Sequence, residues 1–215
     1  MKSFPTIDTL LFFGSFDPIT IGHEALVQTA LDRIRPKEVL VIPAAREGWG
    51  KNLTSFEDRI TTIEIVIAAH LLWNEVVFAS QIEKTAALSG ITADTLHHLV
   101  SHGYEEKKMG LLMGTDWILS LPAWEEWEWM LSIAPAFVAL RGDETRSSLQ
   151  KRIHPTIRSL MGSQVFLLPE HKTKKTKYVS STAVRDGMVR ERTTSYVSDQ
   201  ALISLQERGL YAPDA

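Results

Sequence analysis

Six short runs of Val, Leu, Ile and Phe recur along the chain, over residues 9–13, 38–42, 76–79, 110–113, 136–140 and 164–168. Each is apolar at successive positions rather than at alternate ones. A strand of that kind must be covered on both faces, as in a parallel sheet flanked by helices. Amphipathic stretches fill the gaps. Residues 22–33 place Leu26, Val27, Ala30 and Leu31 on one stripe, and 54–72 carry Ile60, Ile63, Ile67 and Leu71. Residues 92–102 carry Leu96 and Leu99. Thr54 and Glu57 have the spacing of a capping box at the start of the second helix. A weaker helical pattern over 146–160 is interrupted by Pro155. Strands alternating with helices predict an α/β fold with a doubly wound parallel sheet.

The pattern changes after the sixth run. Residues 171–177 are polar and basic, and 180–190 and 198–208 read as helices with no strand after them. The expected organisation is a main α/β unit over 1–178 and a small C-terminal helical subdomain over 179–215, packed on the carboxyl ends of the strands. A chain of 215 residues buries enough surface to hold together without staples. It has no cysteine, which excludes disulfides, a thiol nucleophile and cysteine-based metal sites. A net charge of −3 disfavours a globally basic nucleic-acid binder. No apolar run approaches the ~18–20 residues of a membrane span. The run Leu10–Phe13 is too short for a signal segment, so a cytoplasmic location is expected.

Three constellations carry chemistry. The first, Gly14-Ser15-Phe16-Asp17-Pro18-Ile19-Thr20-Ile21-Gly22-His23, follows the first strand and opens the first helix. Ligands of open α/β sheets bind there, where free backbone N–H groups and the helix dipole attract phosphate. Gly14 allows a tight turn, and Thr20 and His23, three apart, share a helix face. A helix cap with a surface histidine is the plain alternative for any one of these residues; the whole string argues against it. The chain has neither a Walker loop nor a G-x-G-x-x-G fingerprint.

The second, Ser180-Ser181-Thr182-Ala183-Val184-Arg185, sets hydroxyls at a helix start with an arginine one turn in. It can hold phosphate oxygens, with Arg185 as a bidentate clamp. Lys172, Lys174, Lys175 and Lys177 precede it and could steer a polyanion. In the third, Gly114-Thr115-Asp116, the carboxylate lies just past a strand end, where it can accept ribose hydroxyls. Trp124 and Trp127 follow, three apart and so expected on one helix face, with at least one of them packing only; Trp124, nearer the loop, is the better candidate for stacking on an aromatic ring.

Together these strings resemble the nucleotidylyltransferase superfamily, with its Gly-[Thr/Ser]-Phe-Asp-Pro-x-[His/Thr]-x-Gly-His opening and Ser-Ser-Thr-x-x-Arg closing. Within it the chain is most similar to the bacterial nicotinate-nucleotide adenylyltransferases. The likeness includes Gly114-Thr115-Asp116 with Trp124, the segment Thr92, Asp94, Thr95, Leu96, and the ending Gly209-Leu210-Tyr211. Thr20 stands where those enzymes usually have histidine, as in pantetheine-phosphate adenylyltransferases. Leu88-Ser89-Gly90-Ile91-Thr92 replaces Pro-Ser-Tyr-Thr, and Arg46–Lys51 replaces a Pro-Pro-His-Lys-like loop.

The resemblance implies a Rossmann-like nucleotide-binding domain over 1–178 and a helical subdomain over 179–215 that completes an ATP site. It implies transfer of AMP from ATP to the phosphate of nicotinate mononucleotide, with Mg²⁺ entering on ATP and no metal cage in the protein. Catalysis would fall to His23, Thr20 and Arg185. Gly14, Ser15, Phe16, Thr20, His23, Asp116, Ser180, Ser181, Thr182 and Arg185 would bind ATP. Thr92, Trp124, Lys51 and Arg46 would bind the pyridine mononucleotide. Nicotinamide mononucleotide or phosphopantetheine as acceptor, and a non-catalytic nucleotide-sensing module, are the alternatives. A homo-oligomer is left open, and neither nucleic acid nor membrane is expected as a partner.

Overall fold

The structure, a computed structural model, describes residues 4–45, 53–140, 143–169, 179–189 and 196–211. Six strands form one parallel sheet: β1 (Thr9–Gly14), β2 (Glu38–Pro43), β3 (Val77–Ala79), β4 (Met109–Gly114), β5 (Ala136–Ala139) and β6 (Val165–Leu167). Their order is β3-β2-β1-β4-β5-β6, so the winding reverses between β1 and β4. In the register Leu10 lies beside Gly110 and Leu11 beside Leu111, which brings the carboxyl ends of β1 and β4 to one level. A crevice at such a reversal is where doubly wound sheets bind ligands.

The continuous apolar runs are explained by two cores. Leu10, Phe12, Val39 and Val41 join the cluster on one face, and Leu11, Phe13, Leu40 and Ile42 the cluster on the other. On the first face lie α1 (Ile21–Arg33) and α2 (Phe56–Ala69). On the second lie α4 (Thr92–Ser101), α5 (Thr115–Ser120), α6 (Trp127–Ile133) and α7 (Arg146–Arg152). Two further short helices are α3 (Ile82–Thr85) and α8 (Pro155–Ser159). Among the described residues no helix is long and apolar enough to cross a membrane.

Local details differ from the sequence reading. The cap of α2 is Ser55, whose hydroxyl accepts the Asp58 N–H at 3.0 Å; Thr54 and Glu57 form no capping box. Thr54 is engaged elsewhere, on the Asp17 carboxylate. The helix expected over 146–160 is two helices, because Pro155 starts the second at a position where its missing N–H costs nothing. Two C-terminal helices follow, α9 (Ser181–Val189) and α10 (Asp199–Glu207). Helix α10 packs along α2 rather than on the strand ends, and Val184, Ala201 and Leu205 belong to the same cluster as Leu10 and Phe12.

Candidate functional site

The segment after β1 folds back on itself. Phe16, at φ 47°, tucks its ring under Gly14, and a Cβ on Gly14 would sit 2.9 Å from it. The glycine is therefore required by close approach, not by an unusual φ. The Phe16 ring meets the His23 ring edge-on, centroids 5.1 Å apart. Thr20 caps α1 and is only 1% exposed. Its backbone N–H donates to Nδ1 of His23 at 3.0 Å, and its hydroxyl lies 3.0 Å from the same nitrogen. A ring whose Nδ1 accepts keeps its neutral-state proton on Nε2. Thr20, expected to touch ligand, is engaged by the His23 ring.

The two distant motifs meet. Ser181 Oγ donates to the Pro18 carbonyl at 2.9 Å. Arg185 donates to the main-chain carbonyl of Asp17, its Nη1 stands 3.4 Å from the Asp17 carboxylate, and its Nη2 reaches Thr182 Oγ1 at 3.3 Å. Ser180 Oγ caps α9 by accepting the Ala183 N–H at 3.1 Å. Gly14, Ser15, Phe16, Thr20, His23, Ser180, Ser181, Thr182 and Arg185 therefore form one connected group at the carboxyl end of β1.

The remaining expected residues sit around that group rather than in it. Asp116 is exposed on the first turn of α5, at the end of the neighbouring strand β4. Thr92 is half-buried as the first residue of α4; Ser89 braces the approach by accepting the Ile91 N–H at 3.0 Å and donating to Asp94. Trp124 follows a 3-10 turn and lies edge-on to Trp117, centroids 4.8 Å apart. Trp124 and Trp127 do not share a helix face, because Glu126, at φ 51°, breaks the chain between them. Arg46, Lys51 and the lysines at 172, 174, 175 and 177 lie outside the described residues.

Among the buried charges that escaped the sequence reading are Arg59 and Glu83. Arg59, 4% exposed, donates to three carbonyls: Thr54 at 3.0 Å, Ser15 at 2.8 Å and Ala44 at 2.8 Å. It ties the β1 loop to both ends of the segment between β2 and α2. Burial lowers its pKa, and the charge of Asp17 opposes that. Glu83 accepts the Ala45 N–H at 3.0 Å and the Thr95 hydroxyl at 3.3 Å. Burial raises its pKa against those same hydrogen bonds. The signal for Arg59 was present: Phe56, Arg59, Ile60 and Ile63 fall on one buried stripe, where a charge needs partners. Among the described residues no cluster of three or more His, Asp or Glu could hold a metal ion.

This geometry coincides with a family pattern. The model of the cytidylyltransferase-like family matches residues 11–187, from within β1 through the arginine of the second motif. The chain belongs to that family. It is 26% identical over 208 residues to a protein named "Probable nicotinate-nucleotide adenylyltransferase" from Myxococcus xanthus, covering 96% of each chain. A protein of the same name from Acholeplasma laidlawii is 32% identical over 120 residues, 55% of this chain and 60% of that one. Among solved structures, the nicotinic acid mononucleotide adenylyltransferase of Plasmodium falciparum complexed with NaAD superposes with a TM-score of 0.71 at 20% identity, over 95% of this chain and 97% of that one. The last likeness establishes the Rossmann-like fold of this family.

Proposed function

We propose that the protein is an adenylyltransferase that moves AMP from MgATP to the phosphate of nicotinate mononucleotide, forming deamido-NAD. The observation that carries it is the direct contact of the Gly14–His23 and Ser180–Arg185 segments beside the strand-order reversal. The names of the relatives support this acceptor.

A phosphate oxygen of the mononucleotide attacks the α-phosphorus of ATP, and the bond from that phosphorus to the bridging oxygen breaks, releasing pyrophosphate. The attacking group is already an anion, so no base is needed. The work left to the protein is alignment and charge stabilisation. His23 serves as a neutral donor through Nε2, with Thr20 holding its ring. Gly14, Ser15 and Phe16 border the triphosphate. Ser180, Ser181, Thr182 and Arg185 close over it, so that segment 179–215 acts as the second half of the ATP site. Asp116 accepts hydroxyls of the nucleotide. Thr92 at the start of α4 takes the nicotinate carboxylate through backbone N–H groups, and Trp124 stacks on the pyridine. Arg46 and Lys51 bind the mononucleotide phosphate. Mg²⁺ enters with ATP as part of the substrate. The reading places the enzyme in the cytoplasm.

Pyrophosphate release with ATP and each of nicotinate mononucleotide, nicotinamide mononucleotide and phosphopantetheine tests the acceptor. The first is expected to be used best. ATP binding without turnover of any acceptor would make the protein a sensor instead. His23→Ala is expected to lower kcat by about 10²-fold or more with the fold intact. Turnover near that of the wild type would remove His23 from the mechanism.

A further inference from the structure

Asp17 collects more contacts than a turn requires. It is fully buried. Its Oδ1 accepts the Tyr211 hydroxyl at 2.5 Å, the Thr54 hydroxyl, and the Thr54 N–H at 3.4 Å. The Tyr211 and Thr54 hydroxyls are themselves 3.2 Å apart. Its Oδ2 faces Nη1 of Arg185 at 3.4 Å. Four parts of the chain thus converge on one carboxylate: the loop after β1, the foot of α2, helix α9 and the segment after α10.

Two features of this hub point the same way. Charge-assisted N–H···O bonds run at about 2.7–2.9 Å. The Arg185–Asp17 carboxylate contact is longer than that, so the ion pair is loose. The carboxylate's strong donors are instead the hydroxyls on Oδ1, and the Arg185 side chain keeps 26% of its surface exposed. Tyr211 also adopts a left-handed backbone, φ 59°, which an aromatic side chain occupies only where its surroundings hold it. Burial, reinforced by the Asp17 carboxylate, pushes the phenol pKa far up, so it remains a donor.

We propose that Tyr211 is a positioning residue of the nucleotide site, its hydroxyl satisfying Asp17 so that the carboxylate does not draw Arg185 beyond its existing bond to the Asp17 main-chain carbonyl, and the rest of the guanidinium stays available to the triphosphate. This rests on the ATP site described under Proposed function. Without the phenol oxygen, a buried carboxylate short of one donor draws the nearest cation to itself. That cation is Arg185, which the ATP phosphates also require.

The test is calorimetric binding of the magnesium complex of α,β-methylene-ATP to the full chain. Tyr211→Phe is expected to weaken binding about 10-fold, the scale of one hydrogen bond to a charged group. Mononucleotide binding stays within about twofold, since that ligand does not use Arg185. In an Arg185→Gln background the same substitution changes affinity by less than about twofold, because nothing is left to capture. Thr54→Val, which removes the other hydroxyl on Oδ1, repeats the effect, and Thr54→Ser restores it; this pair carries the test if Tyr211→Phe folds poorly. Unchanged affinity in folded Tyr211→Phe overturns the proposal, as does an equal loss with and without Arg185. A wild-type protein that binds no ATP analogue sinks the ATP site itself; a wild type that binds normally while the variants behave otherwise sinks the Tyr211 role alone.

Discussion

Around the carboxyl end of β1, residues as distant as Asp17 and Tyr211 share hydrogen bonds, and a buried arginine fastens three carbonyls. Around the start of α4 and the 3-10 turn, Ser89 reaches two and five residues ahead and Trp124 leans on Trp117, and the longer ties, Thr95 to Glu83 and His97 to Glu126, join neighbouring helices rather than the two ends of the chain. The first region is assigned to ATP and the second to the acceptor. A reaction shared across a family needs its triphosphate held in one geometry, which long-range bracing provides. Choice of acceptor needs only a few side chains on turns, and these can be exchanged without disturbing the sheet. The replaced segment at 88–92 runs into the start of α4.

The sharpest way to break this contrast is Arg59→Met. It removes the donor from three part-buried carbonyls and should cost about 3 kcal/mol of stability in urea unfolding. A loss below about 1 kcal/mol would show that the brace is dispensable. Thr20→Val removes the hydroxyl beside Nδ1 of His23; kcat should fall about 30-fold, with Thr20→Ser recovering most of it. An unchanged kcat would mean that the backbone N–H alone fixes the ring. Trp124→Ala should raise KM for the mononucleotide about 10-fold and leave KM for ATP alone, on the scale of losing one stacked ring. A parallel rise in both constants would erase the division between the regions.

The smallest effect concerns Glu83. Its folded pKa is raised, so the folded chain holds that proton more tightly than the unfolded one. Its contribution is fully present below the ordinary carboxylate range and is lost as pH rises through the raised value. Glu83→Gln should therefore flatten the fall of Tm as pH rises above the ordinary carboxylate range. Superimposable profiles would show that the carboxyl does not titrate differently in the fold.

What could be read from the sequence followed from periodicity and from contiguous motifs. All six strands were evident because burial on both faces writes an unbroken apolar run. The short helices α3, α5 and α6 were not, since 4 to 7 residues hold too few turns to show a period. The cap of α2 shifted by one residue because Thr54 and Ser55 are both able caps, and the Asp17 carboxylate claims the former. Both motifs were visible as strings. Their mutual contact was not, because no local rule links position 17 to position 185, or either to position 211. Thr20 read as a ligand contact from its place in the string, and only the structure shows it buried beneath His23.

The hub at Asp17 also orders events in time. The hydroxyl that completes it is encoded 194 positions after the carboxylate it serves. At synthesis rates of about 5–20 residues per second, a growing chain carries Asp17 for roughly 10–40 s before Tyr211 exists. During that interval the carboxylate lacks the hydroxyl that completes the hub.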